Sequence, residues 1–312
     1  MTGVIGHIAN PTIDDSVALA REAEAAGASW IGLADAFWWR DVWMALTQVA
    51  AGTSTIEIGP AMTNPYLRHP FHTASALATL QELAPGRTFA GITAGGSEVT
   101  VAAGLPRTDA PVRVTALVET IHRCAAGEAL DPISGRSLDV GLDRVPVLIA
   151  GRGDGMLRTA GAVADRVLLW AIPDSDLDRS VEVVRAGAAG RQQTPTLIWA
   201  PLVEHSPEVR PSLLHVAVYA SLNTRVEVRR EWGLDAELVE RIRDTLVAGG
   251  TAAATSLVPD AALDDLVVDG TDTDAVAARA RQLGVTQLAV PGYAVDSVGD
   301  HIAWAARVEA MI

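Results

Sequence analysis

Lysine is absent from this 312-residue chain: all 24 basic residues are arginine. That excludes a Schiff-base lysine and the lysine of a Walker-type phosphate loop. Cysteine occurs once, as Cys124, so no disulfide framework can form. It lies in a helical pattern and reads as a small buried hydrophobe. Basic charge is outweighed to a net −14, which argues against a nucleic-acid or anionic-membrane partner. No uncharged apolar run approaches the roughly 18 residues needed to span a bilayer. No basic segment followed by an apolar run opens the chain, so the expected location is the cytoplasm. His, Cys and paired carboxylates nowhere take up metal-ligand spacing, so no metal is expected. The G-x-S-x-G elbow of serine hydrolases is also missing.

What is present is a rhythm. Apolar strands are expected at 4–9, 30–34, 56–62, 87–93, 145–150, 166–170, 196–204 and 287–290. Amphipathic helices follow them, among them one capped by Thr12 or Asp14 and closed by Gly27, one over 72–83 and one over 273–283. Eight strand–helix alternations predict an α/β fold, a (β/α)₈ TIM barrel that takes the whole chain, 1–312, as one domain. The rhythm breaks once, at 207–265, which reads as a helical insertion between strands seven and eight and a candidate lid or pocket wall.

In such a barrel, ligands bind where the strands end. Two glycine-rich turns stand there. Gly95-Gly96-Ser97 follows strand four, and Gly151-Arg152-Gly153 follows strand five and opens a helix. Converging backbone N–H groups and a helix N-terminus suit a phosphate, and Arg152 could add a charged contact. Each turn also reads simply as a tight connection. A Rossmann reading of the second turn fails at Met156, which stands where the third glycine belongs.

Asp35 closes strand two, where barrel enzymes put catalytic groups; it reads as an acid/base residue, a cap or an ion-pair partner. Glu98 and His7 are further acid/base candidates, each with a bland reading as a helix start or a core histidine. Phe37, Trp38, Trp39 and Trp43 read equally as a pocket wall for a flat ring or as a subunit contact.

These residues, taken together, resemble a family. The run Thr63-Asn64-Pro65-Tyr66-Leu67-Arg68-His69-Pro70, the Ala94-Gly95-Gly96-Ser97 turn and Pro146 to Gly153 carry the likeness. Met156-Leu157-Arg158, Ala164-Asp165 and Arg40-Asp41 with Trp43 extend it. The pattern is similar to the bacterial-luciferase-like flavin and deazaflavin oxidoreductases, nearest to the methylenetetrahydromethanopterin reductase branch. The resemblance implies an interrupted barrel, a homodimer, a small-molecule substrate and coenzyme F420, with FMN as the alternative cofactor. It also implies a cis peptide at Ala61–Met62 under the ring, and Thr63 and Asn64 at the ring edge. Gly95, Gly96, Ser97, Gly151, Arg152, Gly153 and Met156 would lie on the phosphate side. Where the deazaflavin members often have His directly after the strand-two Asp, this sequence has Ala36. The expected reaction is hydride transfer between the cofactor and a C=C, C=N or C=O bond. A reduced-FMN monooxygenase and a non-catalytic flavin-binding barrel are the alternatives.

Overall fold

A computed structural model of the protein describes residues 1–6, 11–131, 133–292 and 298–312, without the side chains of Ser97, Glu98 and Val101. In chain order, β1 (Gly3–Ile5), α1 (Ile13–Ala25), β2 (Trp30–Leu33), α2 (Val42–Gly52), β3 (Glu57–Pro60), α3 (Pro70–Leu83) and β4 (Ala90–Ile92) form the first half. Next come α4 (Ser97–Ala102), α5 (Ala110–Ala125), β5 (Val147–Ala150), α6 (Asp154–Val163), β6 (Arg166–Trp170), α7 (Asp174–Gly187) and β7 (Thr196–Ala200). The insertion holds β8 (Leu202–Glu204), α8 (Arg210–Asn223), α9 (Val226–Glu231), α10 (Ala236–Thr255), α11 (Asp260–Leu266) and β9 (Val267–Asp269). The chain closes with α12 (Thr273–Leu283), β10 (Gln287–Pro291) and α13 (Val298–Glu309).

Eight of the strands form one parallel sheet in the order β3-β2-β1-β10-β7-β6-β5-β4. Its two edges meet. Ile58 N–H donates to the Arg87 carbonyl at 2.7 Å and Phe89 N–H to the Ile58 carbonyl at 3.1 Å. Past a bulge, Thr63 N–H donates to Gly91 O and Thr93 N–H to Thr63 O, both at 2.9 Å. The sheet is therefore a closed (β/α)₈ barrel, as the alternation predicts. The Ala61–Met62 peptide in the bulge is cis, as the resemblance implies. Gly91 makes room for the bulge: a Cβ there would sit 1.9 Å from the Pro60 carbonyl oxygen.

Alternation along each strand sends one set of side chains into the barrel and the other against the helices. The lower barrel holds a bidentate ion pair, Arg166 to Glu57 at 2.5 and 3.1 Å. Trp30 and Phe89 meet edge to face, 5.6 Å between centroids. Ile5, Leu148, Leu168 and Ile198 continue this inner core towards the mouth. The outer core is larger and lies between strands and helices, with Leu46, Leu77, Leu117, Leu157, Val181 and Ile302 among its members.

The insertion begins earlier than its helices. Strand seven, expected as one stretch over 196–204, breaks at Pro201, which cannot donate to a ladder. β8 leaves the barrel and pairs in parallel with β9, Leu202 opposite Val267. The insertion helices bury their own cluster, including Leu213, Ala217, Trp232, Ile242 and Leu266. Two carboxylates dock them on α7. Asp265 accepts from Ser175 N–H at 2.9 Å, Ser175 Oγ at 2.6 Å and Trp232 Nε1 at 2.9 Å. Asp176, 5% exposed, takes both Arg179 and Arg225. Among the described residues no single helix is long and apolar enough to cross a membrane.

Candidate active site at the barrel mouth

The C-terminal ends of the strands present short groups. Gly32 and Ala61 pack together on one side, a Cβ on Gly32 meeting the Ala61 Cβ at 2.3 Å. Ala150 and Ala200 cap the bulky inner core on the other. Small groups at these positions leave room above the inner core, where Met62 and Trp170 also pack.

Asp35 lies two residues beyond β2, part-buried beside the bulge. The Thr63 hydroxyl, 1% exposed, donates to its Oδ2 at 2.7 Å. Burial pushes the Asp35 carboxyl above the usual carboxylate range; the Thr63 hydrogen bond and the Arg68 charge oppose that shift, and the Asp41 charge adds to it. Arg68 itself pairs with Asp41, whose other oxygen caps α2 through the N–H groups of Trp43 (3.0 Å) and Met44 (3.2 Å). A cleft of about 510 Å³ opens here, with Asp35, Phe37, Trp39, Arg68 and His72 in its wall. Phe37 and Trp38 are half exposed and in edge-to-face contact at 4.9 Å. Trp43 does not join them: it is 7% exposed and packs in the outer core.

The two glycine-rich turns are neighbours. The Thr93 hydroxyl donates to the Ala150 carbonyl at 3.0 Å, tying together the strand ends from which both turns spring. Gly95 has φ +75°, a conformation that glycine adopts without strain. Gly151 comes close to Met156: a Cβ there would meet the Met156 Cβ at 2.7 Å. Met156 is buried under the turn, shaping it from below. α6 starts at Gly153 with no side-chain cap, leaving its first N–H groups without a side-chain acceptor. Asn64, 2% exposed, accepts from the N–H groups of Tyr66 (3.0 Å) and Leu67 (3.1 Å) and so fixes the loop that carries Arg68. Arg152 reaches the Trp170 carbonyl at 3.3 Å, at the end of the next strand.

The family model for luciferase-like monooxygenases matches residues 2–287. The chain belongs to that family. One relative, 5,10-methylenetetrahydromethanopterin reductase of Archaeoglobus fulgidus, is 28% identical over 285 residues, covering 85% of this chain and 86% of the relative. An F420-dependent glucose-6-phosphate dehydrogenase of Beutenbergia cavernae is 35% identical over 131 residues, 38% of this chain and 39% of its own. The solved structure of the coenzyme F420 dependent tetrahydromethanopterin reductase from Methanopyrus kandleri superposes with a TM-score of 0.81 at 22% identity, covering 97% of this chain and 96% of that one.

Within this luciferase-like barrel, Asp35 meets Thr63, a Cβ on Gly95 would lie 3.4 Å from the Asn64 side chain, and the Thr93 hydroxyl ties the strand end before Gly95 and Gly96 to the one before Gly151, Arg152 and Gly153. His7 lies outside the described residues. For Ser97 and Glu98 only the backbone is described, at the start of α4. The sequence reading did not single out the Thr63 hydroxyl as the partner of Asp35, or Asp41 as the partner of Arg68. The order of residues held one signal for the second: opposite charges in two loops that follow adjacent strands.

Proposed function

We propose that this oxidoreductase of the luciferase-like family transfers a hydride between C5 of bound coenzyme F420 and a small-molecule substrate, reducing a C=C, C=N or C=O bond. The carrying observation is the Asp35 carboxyl, part-buried at the barrel mouth, on the Thr63 hydroxyl. A carboxyl whose hold on its proton is strengthened by burial is suited to give that proton as a hydride arrives.

When bound, the deazaflavin ring supplies or accepts the hydride at C5. The chain's own residues do the rest. Gly32, Ala61 and Ala150 would leave space for the ring. Thr63 and Asn64 would lie at its edge. Gly95, Gly96 and Ser97, with Gly151, Arg152, Gly153 and the underlying Met156, would hold the phosphate. Asp35 donates the proton to the substrate atom next to the one reduced, with Glu98 and His7 as further acid/base candidates. Phe37 and Trp39 wall the substrate side. The reductase and F420-dependent dehydrogenase named among the relatives support this reading over others.

The family match also supports a second reading, a monooxygenase that uses reduced FMN on the same barrel. Anaerobic mixing of the protein with reduced F420 and a panel of enones, imines and ketones tests the first. Appearance of the oxidised coenzyme's visible absorbance, lost in Asp35→Asn, is the expected result. Oxygen consumption with reduced FMN, and no coenzyme oxidation in any mixture, would favour the second. Cofactor binding without turnover of either kind would mean a non-catalytic barrel.

A further inference from the structure

The base of the insertion meets the closing helix of the barrel through a pair of histidines. His205 follows β8 directly, and His301 lies in α13. Their rings touch edge to face, 4.3 Å between centroids and 85° between planes. His205 also stacks on Trp304 of the same helix, at 6.1 Å and 18°. The Trp304 indole N–H donates to the carbonyl of Gly270, the residue after β9, at 2.8 Å. Gly270 N–H donates to the Glu204 carbonyl at 3.0 Å, which closes the β8–β9 ribbon beside His205. A Cβ on Gly270 would lie 3.0 Å from the His205 Cβ, so the two strand ends pack closely. Both ends of the ribbon are thus fastened to one stretch of α13.

The fastening uses neutral rings. His301 is 3% exposed and Trp304 2%. The Pro291 carbonyl, at the end of β10, accepts a hydrogen bond from the His301 ring. The His301 Nε2 is buried without a partner among the described residues, so that bond takes Nδ1–H and Nε2 keeps a bare lone pair. The His205 Nε2 is likewise buried and unpartnered among the described residues. A proton added at either Nε2 sets an imidazolium against the neighbouring ring with little water to solvate it. Around His205, burial and Arg307 of α13 disfavour that charge, while Asp300 of α13 and Glu208 beyond β8 favour it, and the balance lies below the ordinary histidine value. The other acids of the ribbon are engaged elsewhere, Glu204 by Arg210 and Asp269 by the Thr271 hydroxyl. Burial, with His205 adding to it, holds His301 down to about 4 against the Pro291 hydrogen bond.

We propose that His205 and His301 form an acid-sensitive latch: protonation of either imidazole parts the β8–β9 ribbon from α13 and frees the base of the insertion. Only Pro201 separates this ribbon from β7, so its release is felt at the barrel mouth. In the closed junction both rings take up a proton less readily than in the open one. Docking is therefore strongest above the ordinary histidine value of 6.5 and weakens as pH falls from there towards about 4.

Hydrogen exchange of the full-length protein, read by mass spectrometry and divided by the intrinsic rate at each pH, tests this. From about pH 7 to about pH 5 the opening of the ribbon is expected to rise at least about tenfold, while β5 and β6 of the barrel stay protected. His205→Phe keeps a ring on Trp304 but takes no proton, and should remove part of the rise. Adding His301→Asn, which keeps a donor for the Pro291 carbonyl, should abolish it. His205→Arg, charged throughout this range, should leave the ribbon open already at about pH 7. The latch is overturned if the wild-type ribbon opens no more at low pH, or opens only together with the barrel. A rise that His205→Phe leaves unchanged overturns it too, as does a His205→Arg ribbon protected as well as the wild type's.

Discussion

The Thr63 hydroxyl donates to the Asp35 carboxylate over 2.7 Å, joining the end of β2 to the residue after the cis peptide. One hydrogen bond thus ties the candidate acid to the bulge that shapes the floor of the site. Because burial dominates its environment, the carboxyl holds its proton to higher pH than an exposed Asp. A folded-state value above the unfolded one means that stability falls as pH rises through that window. Asp35→Asn removes this cost. It is expected to raise the melting temperature at neutral pH while lowering turnover by about 100- to 10,000-fold. Calorimetry and steady-state rates check the two halves.

Thr63→Val removes the hydrogen bond that favours the Asp35 anion, so the carboxyl should titrate at higher pH still. If Asp35 works as an acid, activity falls on the alkaline side as it deprotonates. That limb of the pH–rate profile should move to higher pH in Thr63→Val. A profile with an unmoved alkaline limb would remove Asp35 from the acid role.

Gly91 is needed for space rather than for an unusual φ. A Cβ would meet the Pro60 oxygen at 1.9 Å and Met62 Sδ at 2.9 Å. Backbone cannot give way as a flexible side chain can, so Gly91→Ala should cost about 1–3 kcal/mol in urea unfolding. It should weaken ring binding as well, because the bulge carries Ala61, Met62 and Thr63.

The Glu57–Arg166 pair crosses the lower barrel with side chains 21% and 28% accessible, Arg166 first. Glu57→Gln leaves a partly desolvated guanidinium without its counter-charge and should destabilise by about 1–3 kcal/mol. Replacing both by apolar residues of similar size should cost less than either single change. A double variant as unstable as the two single changes combined would contradict this.

Glu24 anchors the loop before β3. Its carboxylate accepts from the N–H groups of Ser54 (2.8 Å), Thr55 (2.5 Å) and Ile56 (3.0 Å) and from the Thr55 hydroxyl (2.9 Å). Burial alone would raise this group, but the hydrogen bonds outweigh it and hold it down from 4.5 to about 2. A depressed folded-state value stabilises above the unfolded one, and the contribution fades as pH falls towards 2. Glu24→Ala should cost about 1–3 kcal/mol at neutral pH. The gap between variant and wild type should close below pH 4.5.

The barrel was legible because both periods are strong. Trp30 to Leu33 and Arg166 to Trp170 are dense apolar runs, and helix 273–283 is observed at its expected bounds. Less legible were the places where long-range contact decides. β9 is three residues directly after a helix, too short to carry a period of its own, and exists because β8 lies beside it. The helix expected at 72–83 begins at Pro70, since His69 accepts the Phe71 N–H and takes the cap. Glu57 and Arg166 are 109 residues apart, and only the closed barrel makes them partners. At the site, the glycine turns and Asp35 stood out by residue type and by following strands. The Thr63 bond to Asp35 needed the loops folded against one another.

The most direct test of the central claim is an anaerobic equilibrium titration of the purified protein with F420 and, separately, with FMN. Tight, saturable F420 binding, with FMN at least about tenfold weaker and F420 affinity reduced by Gly151→Val, is the expected result. Preference for FMN, or binding of neither cofactor, would contradict the assignment of the barrel mouth as a deazaflavin site.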